Sequence, residues 1–231
     1  MVVGFGTDCD TATLSGDIRI KDIAYNYTYP GGEITVYKMT GQDLKDYMEW
    51  SAAYFNQIKE GDITLSYDPE RRASYSTNTI FGGVNYKIDV TRNPGDRIVE
   101  LTWPDGREVS MDEEVTLGIH SYRLEGQQRP GGWMEGRYFD VVYSSTQEYG
   151  DQGTLRNLTI RYIQEVLGGE VVPNETMNWE IIGIDKESED YQLAKELINS
   201  GKLSLHNMTT SNGRVLTNIA SITVDDLAPF R

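Results

Sequence analysis

One cysteine, two histidines and seven prolines are all that the 231 residues contain of those types. A lone Cys9 excludes an intrachain disulfide, which fits a reducing compartment and a disulfide-free Gram-positive surface protein equally. The histidines, His120 and His206, stand far apart, and no HxxxH, DxH or CxxC spacing is present, so no protein-built transition-metal site is indicated. Basic residues are also short, 21 Lys and Arg against 36 Asp and Glu. The net charge of −15 repels a nucleic-acid backbone or an anionic membrane surface. No run approaches the ~18 apolar residues that span a bilayer, and no secretory leader opens the chain. A start directly in domain-like sequence leads us to expect a piece of a longer protein. What remains, 38% hydrophobic and 25% charged, is globular in character. It is enough to bury a core without staples.

The clearest pattern lies in residues 25–55. Residues 34–39 alternate in character as a half-buried strand does. Thr40 is followed three residues later by Asp43, a capping-box spacing that starts a helix. Leu44, Tyr47, Met48, Ala52 and Phe55 then share one helical face. Residues 83–90 and 97–103 alternate too, with Asn93-Pro94-Gly95-Asp96 as turn chemistry between them, and are predicted to pair as a hairpin. Residues 115–122 read as a third strand with Val115, Leu117 and Ile119 on one face. They feed a loop over 124–136 that is rich in glycine. Further strands are predicted at 139–143, 179–184 and 219–224. Helices are predicted after Gly153, ending at Gly168-Gly169, and over 188–199. Residues 61–79 are polar and read as an excursion from the core. The whole is α+β, a mixed β-sheet covered by helices, taken as a single domain over 1–231.

Candidate chemistry is sparse. Asp8-Cys9-Asp10 has metal-binding residue types, but in a Gly- and Thr-rich loop it reads as solvated chain. The pairs Glu33 with Asp43 and Asp89 with Asp96 are carboxylate pairs that an acidic chain produces by accident. Gly82-Gly83 and Gly131-Gly132 lack the context of a phosphate loop. No catalytic residue is indicated. The 15 tyrosines are more informative. Several, among them Tyr25, Tyr27, Tyr29 and Tyr122, fall where loops are predicted. Such rings serve either as core edges with a polar handle or as faces that clamp a flat ligand, each stacked base being worth about 1–3 kcal/mol.

Taken together, Gly16-Asp17-Ile18, Tyr29-Pro30, the strand ending Lys38-Met39-Thr40-Gly41, the segment Phe81-Gly82-Gly83-Val84-Asn85-Tyr86, Pro94-Gly95-Asp96-Arg97-Ile98 and Ser121-Tyr122-Arg123 occur in a familiar order. The chain resembles the C-terminal domain of the 5'-nucleotidase family, especially its bacterial 2',3'-cyclic-nucleotide 2'-phosphodiesterase/3'-nucleotidase branch. The likeness is good over about residues 14–165 and loose beyond.

That resemblance implies a division of labour. An N-terminal metallophosphoesterase domain, absent from this chain, carries two divalent metal ions and performs hydrolysis. The C-terminal domain holds the nucleoside or nucleotide and stacks its base between two aromatic rings. By motif these are Tyr29, before Pro30, and Tyr122, within Ser-Tyr-Arg. No cofactor is expected in this chain, and the isolated piece is expected to hydrolyse nothing. The parent protein is expected to be secreted or attached to the cell wall. The sequence departs from the family over 123–133, which lengthens the loop after the second aromatic, and Gly131-Gly132-Trp133-Met134 lacks the acidic residue that often contacts the sugar. The residues by themselves also leave open a surface adhesion or carbohydrate-binding module, and a relative that keeps the fold for a structural role.

Overall fold

The computed structural model describes residues 1–6, 15–26, 31–74, 78–172 and 177–231; for residues 3–6, 26 and 72–74 it describes the backbone alone. In chain order the elements are β1 (Val2–Gly6), α1 (Ile20–Asn26), β2 (Ile34–Thr40), α2 (Gly41–Ala52), α3 (Pro69–Ser74), β3 (Thr79–Gly82), β4 (Asn85–Asp89), β5 (Ile98–Thr102) and β6 (Glu114–His120). There follow α4 (Ser121–Gln128), β7 (Asp140–Ser144), α5 (Ser145–Tyr149), α6 (Leu155–Arg161), β8 (Trp179–Ile182), α7 (Glu189–Asn199), β9 (His206–Thr209), β10 (Val215–Ala220) and α8 (Val224–Leu227). The chain gathers into two compact units, 1–47 with 79–84 and 109–178, and 48–78 with 85–108 and 179–231. Among the described residues, no helix is long and apolar enough to cross a membrane.

The first unit is built on a five-stranded mixed sheet in the order β3-β1-β6-β2-β7. β6 lies at its centre, parallel to β1 and antiparallel to β2. Its residues explain that position: Val115, Leu117 and Ile119 are buried, as a strand flanked on both edges and packed on one face requires. β2 is held in register with β6 from Ile34 opposite His120 to Thr40 opposite Glu114. At the end of β2 the predicted capping box forms in both directions. The Asp43 amide donates to Thr40 Oγ1 at 3.1 Å, and the Thr40 amide donates to Asp43 Oδ2 at 3.1 Å. Within this unit the ring of Tyr47 meets Phe81 edge-on, centroids 5.9 Å apart.

The second unit carries a three-stranded sheet, β5-β4-β8, and the hairpin of β9 and β10. β4 and β5 pair antiparallel as predicted, whereas β8 joins β4 in parallel, Tyr86 facing Trp179. Met48, Ala52 and Phe55, from the part of α2 and its extension that belongs here, are buried. A second cluster packs Ile63, Ala194, Leu197, Ile222 and Leu227 together.

Four sequence expectations are corrected. Residues 121–128 form a helix rather than the start of a loop, because Leu124 and Gln127 are one helical turn apart and both buried. Strand β6 accordingly ends at His120. The last strand, β10, lies at 215–220, not 219–224; Thr223 and Asp226 form a capping box that turns the chain into α8. Residues 61–79 are not merely an excursion: Ile63 is buried, and its amide donates to the Ile222 carbonyl at 2.8 Å. Tyr25 closes α1 rather than lying in a loop.

Candidate functional site

The sheet of the first unit has one end where three elements change direction together. There β6 finishes at His120, β2 begins at Ile34 and β7 finishes at Ser144. Because Ile34 faces His120 and Thr35 faces Ser144, the chain entering β2 and the chain leaving β6 meet at this one end.

Tyr122 stands on the departing side. It occupies the first turn of α4, 62% exposed, so its ring is open to solvent. The turn is capped by His120. Its backbone is extended (φ −64°, ψ 118°), and its Nδ1 accepts the Tyr122 amide at 3.2 Å. This is the N-cap arrangement in which a side chain satisfies an otherwise unpaired amide. An Nδ1 that accepts is unprotonated, so the neutral ring carries its hydrogen on Nε2. Burial holds His120 below the usual histidine range, and the Arg123 cation adds to this. The imidazole also meets the Tyr122 ring edge-on, centroids 6.3 Å apart at 84°.

The arriving side is fixed by a different set of bonds. Ser145 is the hub: its Oγ accepts the Ile34 amide at 3.0 Å and donates to the Gly153 carbonyl at 2.6 Å. The Leu155 amide donates to Gly32 at 2.7 Å. The Glu33 carboxylate accepts from the hydroxyls of Thr146 and of Ser144, the latter at 2.8 Å. The Thr146 hydroxyl, helped by that of Ser144, holds Glu33 below the usual carboxylate range against the opposing effect of burial, which is weaker than the Thr146 bond. Tyr29 and Tyr27 themselves lie outside the described residues, as do Asp8, Cys9 and Asp10.

After α4 the chain doubles back on itself. The Met134 amide donates to the Gln127 carbonyl at 3.0 Å, and Met134 is fully buried. Gly132 approaches so closely that a Cβ there would lie 2.2 Å from the Gln127 oxygen. Glu135, at the surface, accepts the Gly131 amide at 2.8 Å. The lengthened segment is thus an ordered cap on α4, and sequence reasoning missed it because eight residues with one buried aliphatic give no periodic signal.

The other candidates have structural partners. Asp43 and Asp46 share Arg137 Nη1, at 3.0 and 2.6 Å. Asp89 holds Thr91 and Arg92, and Arg92 also reaches Asp96. His206 Nε2 lies 2.9 Å from Asp226 Oδ1. Among the described residues, no group of three or more His, Cys, Asp or Glu is arranged to hold a metal ion.

Comparison with known proteins bears on this arrangement. The family profile of the 5'-nucleotidase C-terminal domain matches residues 2–133. The chain is 30% identical over 191 residues to the trifunctional nucleotide phosphoesterase protein YfkN of Bacillus subtilis, covering 76% of this chain and 12% of that protein. It is 30% identical over 190 residues to the 2',3'-cyclic-nucleotide 2'-phosphodiesterase/3'-nucleotidase of Haemophilus influenzae, covering 75% of this chain and 27% of that one. It therefore spans only about an eighth to a quarter of these relatives' length. Among solved structures, a Staphylococcus aureus protein assigned as a 5'-nucleotidase superposes with a TM-score of 0.62 at 21% identity, over 78% of this chain and 33% of that one. A 5'-nucleotidase precursor of Thermus thermophilus gives 0.56 at 13% identity, over 80% of this chain and 32% of that one. At these identities the structures speak for a shared α+β fold.

Proposed function

The chain belongs to the 5'-nucleotidase C-terminal domain family, and we propose on that footing that residues 1–231 act as one substrate-binding domain for a nucleoside or nucleotide. The base is stacked between Tyr29 and Tyr122, and the phosphoester is presented to an N-terminal metallophosphoesterase domain of the same parent protein. That other domain supplies the two divalent metal ions, which activate water and stabilise the developing charge. This domain's contribution is to hold the substrate in position. The parent protein is assigned to the cell exterior or the cell wall.

One observation carries the reading. Tyr29 precedes Ile34 by five residues and Tyr122 follows His120 by two, and Ile34 and His120 are partners across β2 and β6. The strand that follows Tyr29 in sequence and the strand that leads to Tyr122 thus meet, at Ile34 and His120, at one end of one sheet. The exposed ring of Tyr122 is what a stacking face needs. Hydrogen bonds through Ser145, Ser144 and Thr146 hold Glu33 and Ile34 at the start of β2, the footing on which such a clamp builds.

The test is a titration of this chain with adenosine, followed by tyrosine and tryptophan fluorescence, beside Tyr29→Ala and Tyr122→Ala. Saturable binding, weakened about ten-fold or more in each variant, is the expected result. Equal binding by all three proteins removes the clamp. Binding of an oligosaccharide in place of adenosine turns the same surface over to a carbohydrate module.

A further inference from the structure

His120 touches Tyr122 twice, through the amide that Nδ1 accepts and through the edge of the ring. We propose that His120 is a positioning residue whose neutral imidazole aims Tyr122, so that nucleoside binding weakens as the imidazole takes up a proton. The proposal rests on the nucleoside reading of Tyr122 and adds to it a regulation by pH.

The chemistry follows from the cap. A proton arriving on Nδ1 converts the acceptor into a donor that faces the Tyr122 amide, another donor. The bond is lost, and an amide of the first helical turn is left without its partner. The new positive charge also sits at the N-terminus of α4, where the helix dipole disfavours a cation, and the first turn of α4 carries no acidic residue to offset it. Tyr122 is the second residue of that eight-residue helix. Loosening the turn therefore disperses the direction of its ring.

Charged groups around the imidazole act in both senses. Arg123, on α4, opposes protonation, while Glu33, at the entry to β2, and Glu125, on α4, favour it. Burial is the largest influence and keeps the ring neutral further into acid than a free histidine. For a group held this way, the native arrangement is fully favoured above the ordinary histidine value of about 6.5, and is lost as pH falls through the lower native value. In sequence His120 falls within the strand predicted over 115–122. The structure moves it to the strand's last position, where it becomes a cap.

The experiment measures adenosine affinity between about pH 8 and pH 4.5, a range that runs well below the ordinary histidine value to reach the lowered one and over which adenosine stays largely neutral. It compares the 231-residue chain with His120→Asn and His120→Ala. Asparagine offers an amide oxygen to the same N–H and does not titrate. The unaltered chain is expected to lose affinity about five-fold toward the acid end, the scale of one lost helix cap. His120→Asn should match it at the alkaline end and stay flat. His120→Ala should be weaker by about the same factor throughout, and also flat. An identical acid loss in His120→Asn, or full affinity in His120→Ala at the alkaline end, overturns the proposal.

The Tyr122 amide, followed by 15N NMR over the same range, separates this from the nucleoside reading. If adenosine fails to bind at any pH, the nucleoside reading falls, and the amide still decides the role of His120. A resonance that moves with the imidazole in the unaltered chain but stands still in His120→Asn supports the positioning role. One indifferent to pH in both refutes it.

Discussion

Glu49 holds the backbone of Arg97, and Arg97 in turn holds the end of the helix that carries Glu49. The carboxylate accepts the amides of Arg97 and Ile98 at 2.9 and 2.6 Å. The guanidinium donates through Nη1 to the carbonyls of Ala52 and Phe55, at 3.1 and 2.6 Å. Arg97 is fully buried and Glu49 is 2% exposed, so each charge depends on this geometry for what water no longer provides. We expect Glu49→Ala to cost about 3–5 kcal/mol, because it strands two amides and removes the stronger of the two carboxylate influences, Glu49 and Asp89, that offset a buried cation. Glu49→Gln, which keeps an acceptor but not the charge, should cost clearly less. Urea denaturation of the three proteins decides it, and a loss under about 1 kcal/mol in Glu49→Ala, the scale of a single exposed ion pair, contradicts this account.

Gly131 and Gly132 are neighbours with different reasons to be glycine. Gly131 has a φ of +85° with open space where a Cβ would stand, whereas Gly132 meets the Gln127 backbone. Alanine at 131 should therefore cost about 1–2 kcal/mol of backbone strain and leave the local structure intact. Alanine at 132 should cost more and displace Met134 from its buried position. Thermal melts order the two variants, and equal melting temperatures would speak against the close approach.

Asp43 and Asp46 both pair with Arg137, but only Asp43 also completes the cap with Thr40. Asp46→Ala should lose about 0.2–1 kcal/mol, the scale of a part-exposed ion pair. Asp43→Ala should lose roughly 1 kcal/mol more, the scale of an N-cap. Raising the salt concentration narrows the loss in Asp46→Ala and leaves the cap contribution in place. Chemical denaturation at two ionic strengths measures both.

Glu33 gives the first unit an acid limit. Its carboxylate is held below the usual range chiefly by the Thr146 hydroxyl, so its contribution is complete above the ordinary glutamate value of about 4.3 and is lost as pH falls below it. Glu33→Gln should be less stable near neutrality and lose less on acidification than the unaltered chain. Thr146→Val should shorten the same acid step from the other partner. Melting temperatures recorded between about pH 6 and pH 3 test this, and parallel curves for all three proteins are the outcome that sinks it.

Local chemistry made much of this fold legible. Thr40 and Asp43 announced the start of α2 three residues apart, and the stripe from Leu44 to Phe55 is buried as read. The hairpin of β4 and β5 followed from two alternating runs around Asn93-Pro94-Gly95-Asp96. What escaped notice depends on partners far away. Ile63 is a lone apolar residue in a polar stretch, and Ile222, 159 residues later, is what buries it. Helix α4 is specified by the backbone of Met134 and by His120, neither of which forms a pattern within it. At the site, the motif order singled out Tyr122, whose exposure fits a recognition role. Residue type alone did not reveal the network at the start of β2: Ser144, Ser145, Thr146 and Glu33 are ordinary surface residues in sequence and become a network only when β7 lies beside β2.

The alternation of the chain between its two units has a consequence for biosynthesis. Six stretches alternate, so neither unit is finished when its first segment leaves the ribosome. β4 waits for β8: Trp179 follows its partner Tyr86 by 93 residues, which at about 5–20 residues per second is a delay on the order of 5–20 s. Throughout that interval the nascent chain presents an unfilled strand edge, the kind of template on which neighbouring polypeptides pair wrongly. Slower translation lengthens the exposure, so the yield of native protein should depend on elongation rate and on chaperones that shield that edge.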